Sequence, residues 1–174
     1  MKIMFPLRWL TLLLLVVPTL LAAPGYQVEV KFEQKRFDVK RAASQSTEIS
    51  EESWGYVVTV SNHSFKEIPD LRVDYVVFSK HQRFGSAVAE PKAERTTGSK
   101  ALGNLQNTGK TSFETEAVTL KKARLKADWY YSNGAKGKAK DELSGIWVRV
   151  YSGSELINEF SQPPSLKSQE KWEG

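Results

Sequence analysis

Residues 54–60 read Trp-Gly-Tyr-Val-Val-Thr-Val, and this run decides the class of fold. Large apolar side chains occupy every second position of the run, at Tyr56, Val58 and Val60. Successive side chains of a β-strand point to opposite faces of a sheet, so a period of two indicates a strand with one buried face. Val57 makes the opposite face partly apolar, which predicts a central strand that is covered in part on both sides.

Four other runs repeat this period: Tyr26–Phe32, Leu71–Phe78, Ile146–Tyr151 and Glu155–Phe160. The last two runs are separated by Ser-Gly-Ser, whose glycine can supply the positive φ of a tight turn, so they predict a β-hairpin. The alternation predicts an all-β fold, specifically an immunoglobulin-like antiparallel β-sandwich of about seven strands.

Weaker alternation predicts further strand structure at three places. The apolar parity shifts between the first run and Phe37, which indicates a bulge near Lys35. Residues 111–120 predict another strand that follows a Thr-Gly-Lys turn. Residues 123–131 place their apolar side chains at alternate positions and favour a strand, with a helix as the alternative because Ala, Lys, Leu and Arg are good helix formers.

Three segments are polar and predict loops. Residues 40–53 are rich in Ser, and residues 132–140 contain Asn-Gly and Lys-Gly pairs. Residues 79–110 carry little apolar material and predict a long connection with one short edge strand around Phe84–Val88.

The N-terminal segment has the pattern of a secretory signal peptide. Lys2 and Arg8 precede an apolar stretch, Trp9–Leu21, that is shorter than the roughly 20 residues of a membrane-spanning helix. Cleavage is expected after Ala22, and an uncleaved anchor is the alternative. We therefore predict a signal peptide over 1–22, a sandwich domain over 24–164 and a polar tail over 165–174. After cleavage no transmembrane segment would remain.

The composition of the chain excludes several kinds of chemistry. Its 174 residues contain no Cys and two His, with a formal net charge of +5. Without Cys there can be no disulfide, thiolate metal site or cysteine nucleophile, and an exported domain without disulfides is typical of the bacterial periplasm. In a bacterial protein the Asn62-His63-Ser64 glycosylation sequence is expected to be unused.

Candidates for catalysis are few. His63 falls in a predicted turn and His81 at the end of a predicted strand, and neither has the context of a hydrolase triad. Two carboxyl pairs, Asp70 with Asp74 and Asp141 with Glu142, are the only candidates for glycosidase chemistry. We therefore predict a protein that is not an enzyme and that has no cofactor and no metal site. Three tryptophans, Trp54, Trp129 and Trp147, are interpreted as core or rim packing rather than as a sugar platform.

One segment carries a concentrated positive charge. Residues 121–140 contain seven cationic side chains against the single Asp128. If 123–131 is a strand, its basic side chains share one face and the following loop returns beside them. This pattern predicts an anionic partner, either a protein or an envelope polymer or glycan, while export argues against nucleic acid. The alternative is a solvated face that protects a sheet edge. The candidate binding residues are Lys122, Arg124, Lys126, Lys136, Lys138 and Lys140.

Three runs, 54–60, 71–78 and 145–151, give the chain a resemblance to a known group of proteins. It resembles the small exported immunoglobulin-like β-sandwich proteins of Gram-negative bacteria, of the verrucomicrobial kind. The resemblance implies the fold and, as an alternative role, a pilus-associated or envelope-assembly component. We predict an exported interaction module of the bacterial envelope, periplasmic or on the cell surface, with a carbohydrate-binding module as a further alternative. Unlike antibody domains, the chain has no inter-sheet disulfide, and Trp54 lies on the second predicted strand.

Overall fold

The computed structural model describes residues 25–85, 90–135 and 137–172; the predicted signal peptide lies outside them. The described residues form nine strands and one short helix. The strands are β1 (Val28–Ala43), β2 (Thr47–Asn62), β3 (Ile68–His81), β4 (Lys92–Leu105), β5 (Lys110–Glu114), β6 (Val118–Leu125), β7 (Lys138–Lys140), β8 (Glu142–Ser152) and β9 (Glu155–Gln162), and the helix is α1 (Leu166–Gln169).

The strands form two antiparallel sheets. Sheet one has the order β1-β2-β6-β7, with β5 also paired to β2, and sheet two has the order β4-β3-β8-β9. Two packed antiparallel sheets confirm the predicted sandwich, with nine strands in the part of the chain that the structure describes, where about seven were expected. None of the helices in the described ranges is long and apolar enough to span a membrane.

The core lies between the two sheets and is formed by the predicted alternating faces. Tyr56, Val58 and Val60 of β2 are at most 2% exposed. They pack in one cluster with the odd-numbered side chains of β3 and the even-numbered side chains of β8, which include Val73 and Val148. The predicted hairpin of β8 and β9 is confirmed, and Gly153 in its turn has a φ of +58°.

The loop predicted over 40–53 is wrong. β1 and β2 continue as a long hairpin whose turn lies between Ala43 and Thr47, and β6 pairs with the other edge of this part of β2. A register shift between Arg36 and Asp38 confirms the bulge expected near Lys35. Because this part of the sheet carries charged side chains on both faces, it lacks the apolar period that marks a buried strand.

The long connection predicted over 79–110 is also wrong. It contains β4, a 14-residue edge strand that pairs with β3 along most of its length. Nearly all its side chains are exposed or half-buried, and Gly98 lies beneath the Tyr75 ring, where an added Cβ would overlap the ring unless the ring moved. An edge strand of polar residues has no apolar alternation by which the sequence would show it.

The strand predicted over 123–131 ends early. β6 stops at Leu125, and the next residues form a turn in which Trp129 N–H donates to the Lys126 carbonyl at 3.0 Å. The loop predicted over 132–140 is wrong at its end, because β7 pairs there with β6. The strand predicted over 111–120 is divided into β5 and β6 at Thr115, whose side-chain oxygen accepts the Tyr56 N–H at 2.9 Å.

The C-terminal residues pack on the outer face of sheet two. Leu166 of α1 is 6% exposed and lies in one cluster with Val76, Phe78 and Trp147. The Trp172 ring contacts the Trp147 ring edge-on, with 5.3 Å between their centroids. Leu166 and Trp172 therefore cover the part of this face that Val76, Phe78 and Trp147 form.

Candidate functional site

Four of the six predicted basic residues lie on a four-stranded extension of sheet one, which we call the arm (residues 38–43, 47–53, 120–125 and 138–140). They are Lys122, Arg124, Lys138 and Lys140. Two rows of paired residues cross it. Because side chains two residues apart share a face of a sheet, both rows lie on the same face. That face borders a groove of about 500 Å³, which we call the arm groove. The first row is Arg41, Ser50, Lys122 and Lys140, and the second is Ala43, Glu48, Arg124 and Lys138.

Two of the predicted cations are paired with carboxylates of β2. Lys122 Nζ lies 2.8 Å from Glu52 Oε1, and Arg124 Nη2 lies 2.6 Å from Glu48 Oε2. Glu52 is 5% exposed, and the Lys122 ammonium beside it holds the pKa of that carboxyl below its ordinary value. Lys126 is bound differently, since its ammonium donates to the Ser44 carbonyl at 2.7 Å. These contacts join residues about 70 or more positions apart, so the sequence did not show them.

The remaining cations of the arm groove have no such partner. Arg41, Lys138 and Lys140 are exposed, and no carboxylate among the residues that the structure describes forms an ion pair with them. Lys136 lies outside the described residues. Arg41 was not among the predicted binding residues, because it belongs to a segment that was predicted to be a loop. The pairing also places Lys140 directly opposite Lys122, and Lys138 directly opposite Arg124.

An aromatic loop, residues 126–135, joins β6 to β7 immediately beyond the second row. Trp129 is 50% exposed and Tyr130 is 86% exposed. The loop is held at both ends: Leu125 N–H donates to the Gly137 carbonyl at 2.8 Å, and the Tyr131 ring meets the Phe84 ring edge-on at 5.7 Å. Trp129 is therefore not a core residue, whereas Trp54 and Trp147 do pack in the two clusters.

A second cavity, of about 600 Å³, borders His81 and Asp141. Here Ser79 Oγ lies 3.0 Å from His81 Nε2, and His81 Nδ1 lies 2.9 Å from Asp141 Oδ2. The order of atoms is that of a hydrolase triad. Ser79, however, is 1% exposed and does not line the cavity, so its hydroxyl is not presented to a substrate there.

The role that the geometry assigns to Asp141 is structural. Its carboxylate accepts the Gln82 N–H at 2.8 Å and the Lys121 N–H at 2.9 Å, in addition to His81. Gln82 follows the end of β3 in sheet two, and Lys121 lies in β6 of sheet one. A carboxylate that is 5% exposed thus joins the two sheets where the arm begins.

The other sequence candidates are also held by local contacts. Asp74 accepts a hydrogen bond from Ser99 Oγ at 2.6 Å, and His63 Nε2 lies 3.0 Å from Glu29 Oε2. Asn62 is 1% exposed and its side-chain amide donates to three carbonyls, which leaves the amide nitrogen of the Asn-His-Ser sequence inaccessible to modification in the folded chain. Within the described ranges, no group of three or more His, Asp or Glu residues is arranged to hold a metal ion.

Comparisons with known proteins give weak structural neighbours only. No protein-family model matches the chain, and no curated protein matches it. The chain is similar to an X-ray structure of a Northeast Structural Genomics Consortium target, SoR45, with a TM-score of 0.35 and 10% identity over 77% of this chain and 84% of that chain. A β-glucosidase from Listeria innocua in complex with gluconolactone gives a TM-score of 0.22 and 17% identity over 76% of this chain and 16% of that chain.

Proposed function

We propose that this chain is a non-enzymatic, exported binding module of the bacterial envelope, and that its arm groove binds an anionic partner. The observation that carries the proposal is the pairing of like charges across the arm. Side chains directly opposite on adjacent strands have Cβ atoms about 5 Å apart, and like charges at such positions are destabilising. The arm contains two of these pairs in successive rows, Lys122 with Lys140 and Arg124 with Lys138.

The carboxylates of β2 offset only part of this charge. Glu52 and Glu48 pair with Lys122 and Arg124, and they leave the β7 lysines and Arg41 without an ion pair among the described residues. An anion in the groove would interact favourably with these three cations and would reduce the repulsion within the rows. Export rests on the N-terminal sequence pattern, and it makes an envelope polymer or an envelope protein the expected class of partner.

The test uses a double variant, Lys138→Gln with Lys140→Gln, and a control double variant, Lys80→Gln with Lys100→Gln, which changes two exposed lysines of sheet two. Retention on immobilised heparin should be lower for the first variant than for the unmodified protein, and it should be unchanged for the control variant. Retention of the unmodified protein should fall as salt rises, because the screening length shortens from ~8 Å at physiological ionic strength to ~3 Å at 1 M.

Thermal unfolding adds a second readout. Because the β7 lysines oppose other cations, the Lys138→Gln and Lys140→Gln variant should be as stable as the unmodified protein or more stable. A surface whose lysines serve only to protect the edge strand would show weak retention that the β7 substitutions leave unchanged. That result would refute the proposed binding function.

A further inference from the structure

We infer that the anionic partner of the arm groove is a polysaccharide, bound jointly by the groove and by the aromatic loop; this inference rests on the proposed function. The structure places two exposed aromatic side chains, Trp129 and Tyr130, on the loop that joins the two cationic strands of the arm. A surface that recognises only the charge of an acidic protein has no requirement for exposed rings at this position. An anionic sugar polymer uses both features, because its ring C–H faces can pack on aromatic rings while its acidic groups meet cations.

The loop presents these rings with little freedom of its own backbone. A turn hydrogen bond joins Trp129 to Lys126, Lys126 N–H donates to the Ser46 carbonyl at 3.0 Å, and Tyr131 packs on Phe84. Fixing a binding loop before the ligand arrives lowers the entropy that is lost on binding. The bond from Lys126 to Ser46 fixes the start of the loop beside the β1–β2 turn, and the loop follows the second cationic row directly along the chain. We therefore expect an extended polymer bound along that row to meet the loop.

Exposed rings elsewhere in the described chain do not combine these features. Phe65 is 97% exposed, but it lies at the other end of β2, beyond Asn62 and away from the arm. It therefore provides a matched control for the loss of an exposed aromatic side chain. Phe65→Ala should leave every binding measurement unchanged.

The experiment compares heparin, a sulfated polysaccharide, with poly-glutamate and with vesicles of anionic phospholipid, each titrated against the protein at two salt concentrations. Heparin should bind tightest. Replacing both Trp129→Ala and Tyr130→Ala should weaken heparin binding about tenfold, which corresponds to ~1.4 kcal/mol. The same variant should bind poly-glutamate with an affinity within about twofold of that of the unmodified protein, since binding of a flexible acidic peptide depends on the charges alone.

The outcomes separate this inference from the proposed function. If poly-glutamate or vesicles bind at least as tightly as heparin and the double aromatic variant behaves as the unmodified protein, the partner is an acidic protein or a lipid surface; the polysaccharide inference then fails and the proposed function stands. If no polyanion binds in a salt-dependent manner, both fail. If the double aromatic variant loses heparin alone, with an unchanged circular dichroism spectrum, the inference is supported.

Discussion

Asp141 is expected to stabilise the fold by joining the two sheets at the base of the arm. Its buried carboxylate accepts hydrogen bonds from Gln82 N–H, Lys121 N–H and His81 Nδ1, over 2.8 to 2.9 Å. In Asp141→Ala, two backbone N–H groups and the imidazole lose their acceptor at once. Leaving a fully buried donor unsatisfied costs about 1–3 kcal/mol. Because Gln82 and Lys121 are exposed residues whose bonds to Asp141 are only partly buried, we expect a total loss of about 1–3 kcal/mol.

The matched variants give a graded expectation. Asp141→Asn keeps one oxygen that can accept in the place of Oδ2, but its amide nitrogen faces the Gln82 N–H, so about half of the loss is expected. Asp128→Ala removes a carboxylate of the exposed aromatic loop and should change the free energy of unfolding by less than about 0.5 kcal/mol.

Urea unfolding followed by tryptophan fluorescence would measure these differences. For a chain of this size, 1 kcal/mol changes the melting temperature by about 2–4 °C, so Asp141→Ala should also melt roughly 2–12 °C lower. A loss below about 1 kcal/mol in Asp141→Ala would mean that water replaces the carboxylate and that Asp141 does not couple the sheets.

Two further substitutions test the packing and the electrostatics of the sandwich. Gly98→Ala places a Cβ against the Tyr75 ring and should destabilise the fold by about 1–3 kcal/mol in the same unfolding assay, whereas Gly25→Ala, with open space around it, should be neutral. The pKa of Glu52 is lowered by Lys122, so this carboxylate stabilises the fold above its ordinary pKa of 4.5, and that contribution is lost as pH falls through the lower pKa of the folded state. The stability difference between the unmodified protein and Glu52→Gln should accordingly be largest at neutral pH and shrink on acidification; a difference independent of pH between 7 and 3 would contradict the assignment.

The sequence by itself was sufficient to predict the strands that form the buried core. Alternate side chains of residues 54–60 and 71–78 pack in the core between the two sheets. A strand with one buried face must place apolar side chains at every second residue. The same reasoning located the hairpin of β8 and β9 and the bulge after Lys35. In these segments the alternation of apolar residues follows directly from the burial of one face of the strand, so the sequence alone predicts the strand.

Only the tertiary structure showed that β4 and the arm are strands, and which basic residues of the arm form ion pairs. β4 is an edge strand and the arm carries charges on both faces, so their strand structure depends on hydrogen bonds to neighbouring strands and not on apolar burial. Charge along the chain likewise could not reveal that Glu52 and Glu48 neutralise Lys122 and Arg124 while Lys138 and Lys140 stand opposite them. An ion pair depends on distance in space, and the register of strands that are far apart in sequence sets that distance.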